Sequence, residues 1–165
     1  MKKVVSIELT SSNTERVISI LAESPEKIER LCQHLSDEQL HQPLGPGERS
    51  VIEILAHILH CEARSSEAIY LVLLADEPLL VDIHPERDFG KLVRYDLLPF
   101  TDLLAYFRVR RAILMRVLTG LNEPQWAKSV RELGKQRKET VYLQARSMAM
   151  HELEHIIDIE SKVHE

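Results

Sequence analysis

The sequence predicts an all-α domain, a four-helix bundle, on three observations. Apolar residues recur at spacings of three and four through four separate segments, almost no stretch shows the alternation of a strand, and proline- or glycine-bearing breaks divide the segments. At 165 residues the chain, residues 1–165, is read as a single domain, long enough to bury a core without disulfides or a structural metal. Any metal the residues can hold is therefore a candidate for function.

The first helix is read in "NTERVISILAESPEKIERLCQHLSDEQL", where Val17, Ile20 and Leu21, then Ile28, Leu31, Cys32 and Leu35, follow the helical period. Pro25 interrupts it, either as a kink in one long helix or as a fresh start with proline at the first helical position. "HQPLGPGERS" then gathers proline and glycine into an exposed connection. The second helix opens at Ser50, with Glu53 three residues later as a capping box, and runs to Asp76. The connection that follows, "EPLLVDIHPERDFGKLVRYDLLP", has three prolines, one glycine and no sustained period. It is longer than a tight bundle turn needs and is expected to cross the bundle or cover a site. The third helix begins near Thr101, carries Leu103, Leu104, Phe107, Ala112, Leu114, Met115 and Leu118, and stops at the Gly120 to Pro124 break. The fourth runs from about Thr140 to Val163, after Trp126 and the charged stretch "RELGKQRKE", which reads as a solvated loop. Arg108, Arg110 and Arg111 read as outer-face charges of the third helix, and Glu53 and Glu62 as helix-surface ion-pair partners.

A formal net charge of -5 with mixed signs provides no basic stripe, so a nucleic-acid partner is not expected. No run of eighteen apolar residues occurs and "MKKVVSIELTSS" lacks the apolar core and cleavage site of a signal peptide, so neither a membrane partner nor export is expected, and a cytoplasmic location is. Cys32 and Cys61 fall in apolar periodic segments, where a cysteine behaves as a small buried hydrophobe; two such residues make no disulfide framework.

The chemistry concentrates in "MAMHELEHIIDIE", Met148 to Glu160. Residues four apart differ by about 40° around a helix and by about 6 Å along it, so His151 and His155 can direct imidazoles at one ion. Met148, Ile156 and Ile159 on or near that face put the rings toward the bundle interior. H-E-x-x-H is also the zinc-protease pattern, with Glu152 as base. That reading needs a further ligand downstream, where only ten residues remain, and a strand to hold the peptide, which nothing upstream supplies. Glu152 is instead expected to contact a neighbouring helix or to orient a ligand. The best third ligand is His57 in "IEILAHILHCE", with Ile54 and Cys61 on its own face; His60 either shares the site or points to its rim. His84 and Arg87, in the long connection, read as solvated residues that can also reach the mouth of such a site.

The segment "DEQLHQPLGPGERSVIEILAHILHCEARSSEAIYLVLLADEPLL", followed by a last helix with H-x-x-x-H, resembles the DinB/YfiT-like superfamily of metal-dependent four-helix bundles, most closely its YfiT-like branch. Leu40, Pro43, Pro46 and Gly47 match the family's linker, and His57 falls at its first ligand position; the likeness extends from about Glu15 to Ile159. The resemblance implies a divalent metal, zinc or nickel, held by His57, His151 and His155 with water completing the coordination. It implies a small-molecule substrate and either a hydrolase or a transferase using a low-molecular-weight thiol such as bacillithiol or mycothiol. It also implies a homodimer. Two departures separate this chain from the family pattern. Glu48 and Arg49 stand where a tryptophan is usual, and Ile156, Ile157 and Asp158 follow the last histidine where many members read R-G-Q. The alternative class is a non-catalytic metal-binding or dimerisation module, because the sequence contains no obvious nucleophile or separate acid/base pair.

Overall fold

A computed structural model describes residues 5–76, 78–133 and 138–163. Four long helices form the bundle: α1 (Ser11–Cys32), α3 (Val51–Leu74), α5 (Phe100–Thr119) and α7 (Val141–Val163). The short helices α2 (Asp37–His41), α4 (Lys91–Val93) and α6 (Glu123–Ala127) lie in the connections. Helix α1 packs against α5 and α7, and α3 packs against the same two, so α1 and α3 occupy opposite corners of the bundle. Pattern alone left this order open, since an amphipathic stripe identifies a buried face but not its partner.

The helix starts follow the local chemistry. Ser50 caps α3 as a complete capping box: its side chain accepts from Glu53 N while Glu53 accepts from Ser50 N at 2.8 Å. Ser36 and Asn122 build the same device at α2 and α6. Pro25 does not restart a helix; α1 runs through it, with Pro25 buried.

The connection from α3 to α5 runs back along α3, docking beside His57 and His60 in the first half of that helix, so that α3 and α5 begin at the same end of the bundle. It contains the strand β1 (Leu79–Leu80), a π-helical turn at Pro85–Gly90, α4 and a 3-10 turn at Tyr95–Leu97. Strand β1 pairs in parallel with β2 (Ser129–Glu132), which pairs antiparallel with β3 (Glu139–Thr140). This small sheet, which helical periodicity did not announce, staples the crossover to the α6–α7 connection. The ends of "RELGKQRKE" therefore belong to strands, while residues 134–137 lie outside the described residues.

The apolar core falls into two clusters. One holds Val17, Leu21, Ile69, Leu114, Trp126 and Tyr142; the other holds Ile28, Leu55, Leu59, Leu103, Phe107 and Ile159. Between them along each long helix lies a polar residue: Ser24 on α1, Glu62 on α3, Arg111 on α5 and Glu152 on α7, all buried. Arg111 is thus not an outer-face charge, and Glu62 is not a surface one: each is 2% exposed or less. Arg111 donates to Glu62 at 2.7 Å and to both oxygens of Glu152 at 2.9 and 2.5 Å, and stacks on the Phe107 ring. Arg110 also reaches Glu62, at 3.3 Å, and Arg108 pairs with Glu29 on α1. Arg108 does lie on the outer face; Arg111 read outward because arginine is seldom fully buried unless paired, and its pairing partners are remote in sequence.

Candidate metal centre

Helices α3 and α7 lie side by side, and each turns a pair of residues four apart toward the other: His57 and Cys61 from α3, His151 and His155 from α7. His57 Nε2 is 2.9 Å from His151 Nε2, which is 3.1 Å from His155 Nε2. The three rings meet nearly edge to face, with interplanar angles of 70°, 86° and 89°. The three imidazoles singled out from the sequence are therefore brought together at one corner.

The other nitrogen of His57, Nδ1, is hydrogen-bonded to the Glu86 carboxylate. A carboxylate accepts only, so this contact assigns the proton to Nδ1 and leaves the Nε2 lone pair directed at His151. His151 Nε2 has one proton at most to share between two close neighbours. In a cluster of neutral imidazoles at these distances, at least one lone pair faces another, whereas a cation at the common point satisfies all three. By this test the donor set fits a divalent metal.

The electrostatics act in the same direction. Burial lowers the pKa of His151 to about 4, with the neighbouring His57 adding to the effect, and burial together with His151 lowers that of His155 to about 4. Burial lowers His57 as well, against the opposing hydrogen bond from Glu86. The imidazoles are thus neutral at physiological pH, the form that binds metal. Cys61 lies with its Sγ 3.9 Å from His57 Nε2, and its thiol is raised to about 11, first by burial and then by Glu86.

Glu86 comes from the π-helical turn. Its backbone N–H and that of Arg87 both donate to His84 Nδ1, at 3.2 and 3.0 Å, and His84 N donates to Asp88 at 2.9 Å. His84 therefore caps the turn that presents Glu86, and Arg87 is occupied by Asp88 at 2.9 Å. Gly90 closes the turn against α3: a Cβ there would lie 3.0 Å from two atoms of the His60 ring. His60 is buried, stacks on Tyr95 at 5.1 Å, and sets Nδ1 3.4 Å from the same Glu86 oxygen. It supports the carboxylate and does not join the imidazole corner.

Glu152, the glutamate of "HELEH", points away from the corner into the Arg111 network and is fully buried, so it cannot serve as the base of a zinc protease. Glu86 gave no signal in the sequence, 29 residues from His57 in a segment without periodicity. Cys61 did give one, because it repeats on α3 the four-residue spacing of His151 and His155. Beside the corner a cavity of about 700 Å³ is lined by Arg49, His60, Glu86 and Lys91, among others.

The chain belongs to the DinB superfamily, whose family profile matches residues 20–159. Among solved structures it is similar to YfiT from Bacillus subtilis, described as a probable metal-dependent hydrolase with an unusual four-helix bundle topology. The TM-score is 0.83 at 17% identity, covering 94% of this chain and 89% of that one. At that identity the likeness establishes the fold, including the long crossover between the second and third long helices. No curated protein matches the sequence. Among the described residues no helix is long and apolar enough to cross a membrane.

Proposed function

We propose that the chain is a divalent-metal-dependent hydrolase acting on a small molecule, with His57, His151 and His155 as metal ligands. The observation that carries this reading is the convergence of three neutral imidazoles, with His151 Nε2 2.9 Å from His57 Nε2 and 3.1 Å from His155 Nε2, and with His57 oriented through its far nitrogen by Glu86. Zinc or nickel suits such donors and supplies Lewis-acid chemistry to a water or a substrate carbonyl.

The chain's own residues do the rest. Glu86 holds the His57 tautomer, and the turn at Pro85–Gly90 keeps Glu86 over the site. The cavity admits a substrate on the Glu86 side, and its lining carboxylates are engaged: Glu53 in the α3 cap, Glu86 with His57, Asp96 with Arg94. Among the described residues Arg49 and Lys91 have no such partner, which favours a substrate carrying a carboxylate or phosphate. The same lining suits an acidic low-molecular-weight thiol, so thiol transfer is the second reading.

The test is elemental analysis of the purified protein beside the His57→Ala, His151→Ala and His155→Ala variants. One zinc or nickel per chain, lost in each variant with helicity retained, supports the site. Wild-type metal content in all three variants would remove it. Turnover of anionic esters or amides against transfer of a thiol to an electrophile then separates the two reactions. Light scattering tests the further expectation of a homodimer.

A further inference from the structure

Two helices contribute to the corner in the same way. His151 and His155 stand one turn apart on α7, and His57 and Cys61 stand one turn apart on α3, facing them. The Cys61 sulfur is 3.9 Å from His57 Nε2, and the donor atoms of His57, Cys61 and His151 all lie within 4.8 Å of one another. A tetrahedral zinc with bonds of about 2.0–2.1 Å to nitrogen and 2.3 Å to sulfur separates its ligand atoms by about 3.3 Å between nitrogens and about 3.6 Å between nitrogen and sulfur. The three adjacent pairs, His57–His151 at 2.9 Å, His151–His155 at 3.1 Å and His57–Cys61 at 3.9 Å, lie near these values. His155 joins this group through His151, so placing all four donors on one ion requires the His155 and Cys61 side chains to turn inward.

We infer that Cys61 is a further protein ligand of this centre, so that two i,i+4 pairs supply three histidines and one cysteine and a fifth position is left to water or substrate. The inference rests on the metal-site reading above. Cys32, the other cysteine, is packed with Ile28 and Leu55 in the apolar cluster and, among the described residues, has no comparable group of potential ligands around it. On binding, the Cys61 S–H bond breaks, the proton leaves to solvent, and a sulfur lone pair forms the bond to the ion; no electron is transferred. A thiolate among the donors favours zinc and cobalt over magnesium and manganese, which prefer oxygen. It also makes metal uptake release one proton more than three neutral imidazoles would.

The probe is cobalt(II) alone, titrated into the chelator-stripped full chain without added thiol. The expected result is one cobalt per chain with an intense near-ultraviolet thiolate-to-cobalt charge-transfer band. In Cys61→Ser the band is lost while cobalt still binds, at least about tenfold more weakly. Cys32→Ser keeps the band. Cobalt bound at one per chain by the wild-type protein without that band overturns the inference and leaves the three-histidine site standing. A band that survives in Cys61→Ser also overturns it. Failure to bind cobalt, zinc or nickel at all overturns both readings together. Because the wild-type spectrum alone can decide, the result does not depend on how well the variants fold.

Discussion

Arg111 donates through Nη1 to the carbonyl of Leu21, at 2.5 Å. That carbonyl is the one Pro25, four residues on, cannot serve, because proline has no N–H to complete the helical bond. The same guanidinium holds Glu62 and Glu152, which directly follow Cys61 and His151 in the sequence. One side chain thus joins all four long helices at the level of the imidazole corner. Burial opposes the Arg111 charge, but the two carboxylates outweigh burial and hold its pKa above the ordinary value.

Removing Arg111 leaves two carboxylates buried without their cation and the Leu21 carbonyl without a donor. Arg111→Met is expected to cost about 3–5 kcal/mol, the range for breaking a buried ion pair from one side. Urea unfolding measures it. A loss under about 1 kcal/mol, the level of an ordinary substitution, would show that the network carries no such weight.

Glu86 acts on His57 from the nitrogen that does not face the corner. Glu86→Ala is expected to weaken zinc binding by about 10–100-fold, as loss of an orienting carboxylate does, with helicity unchanged. Competition with a chromophoric chelator gives the value. Unchanged affinity would mean that packing alone orients the His57 ring.

Gly90 has ordinary helical backbone angles, so its role is steric and not conformational. Gly90→Ala places a Cβ 3.0 Å from the His60 ring and 3.2 Å from the Pro85 carbonyl. An overpacking cost of about 1–3 kcal/mol is expected, together with weaker metal binding as Glu86 shifts. Thermal unfolding and the chelator titration read the two effects; a neutral result in both would show that the turn moves freely.

Acid should destabilise the metal-free fold through His151 and His155. Both have folded pKa values of about 4 against an ordinary 6.5, so between those limits the unfolded chain binds more protons than the native one. Stability therefore rises with pH across that window and is lost as pH falls from about 6.5 toward 4. Denaturant midpoints of the chelator-stripped protein, measured across the window, check the sign. His151→Gln together with His155→Gln should flatten the profile.

The sequence disclosed those parts of the fold that are written locally. The capping box at Ser50, the break at Gly120 and the helical period of "HELEH" each lie within one turn, and each matches an observed boundary or face. The three histidines could be nominated because i,i+4 spacing is itself a chelating geometry. What escaped depended on contacts across the bundle. Arg111 resembled any surface arginine until Glu62 and Glu152 were placed beside it, and Glu86 lay in a segment whose conformation is set by its docking on α3. Cys61 was read as a small hydrophobe because burial, which the period does report, does not say which polar atoms share the interior.

His57 and His151 are 94 residues apart in the chain, and α7 lies against α1, the first long helix. Contacts of such sequence separation form late, after the entropy of closing a long loop has been met. A growing chain emerging from a ribosome therefore contains His57 and Cys61 long before it has a corner to put them in. An ion that needs all three imidazoles would be captured by the finished protein and not by the nascent one, so any metal at this corner would reflect what is available after synthesis is complete.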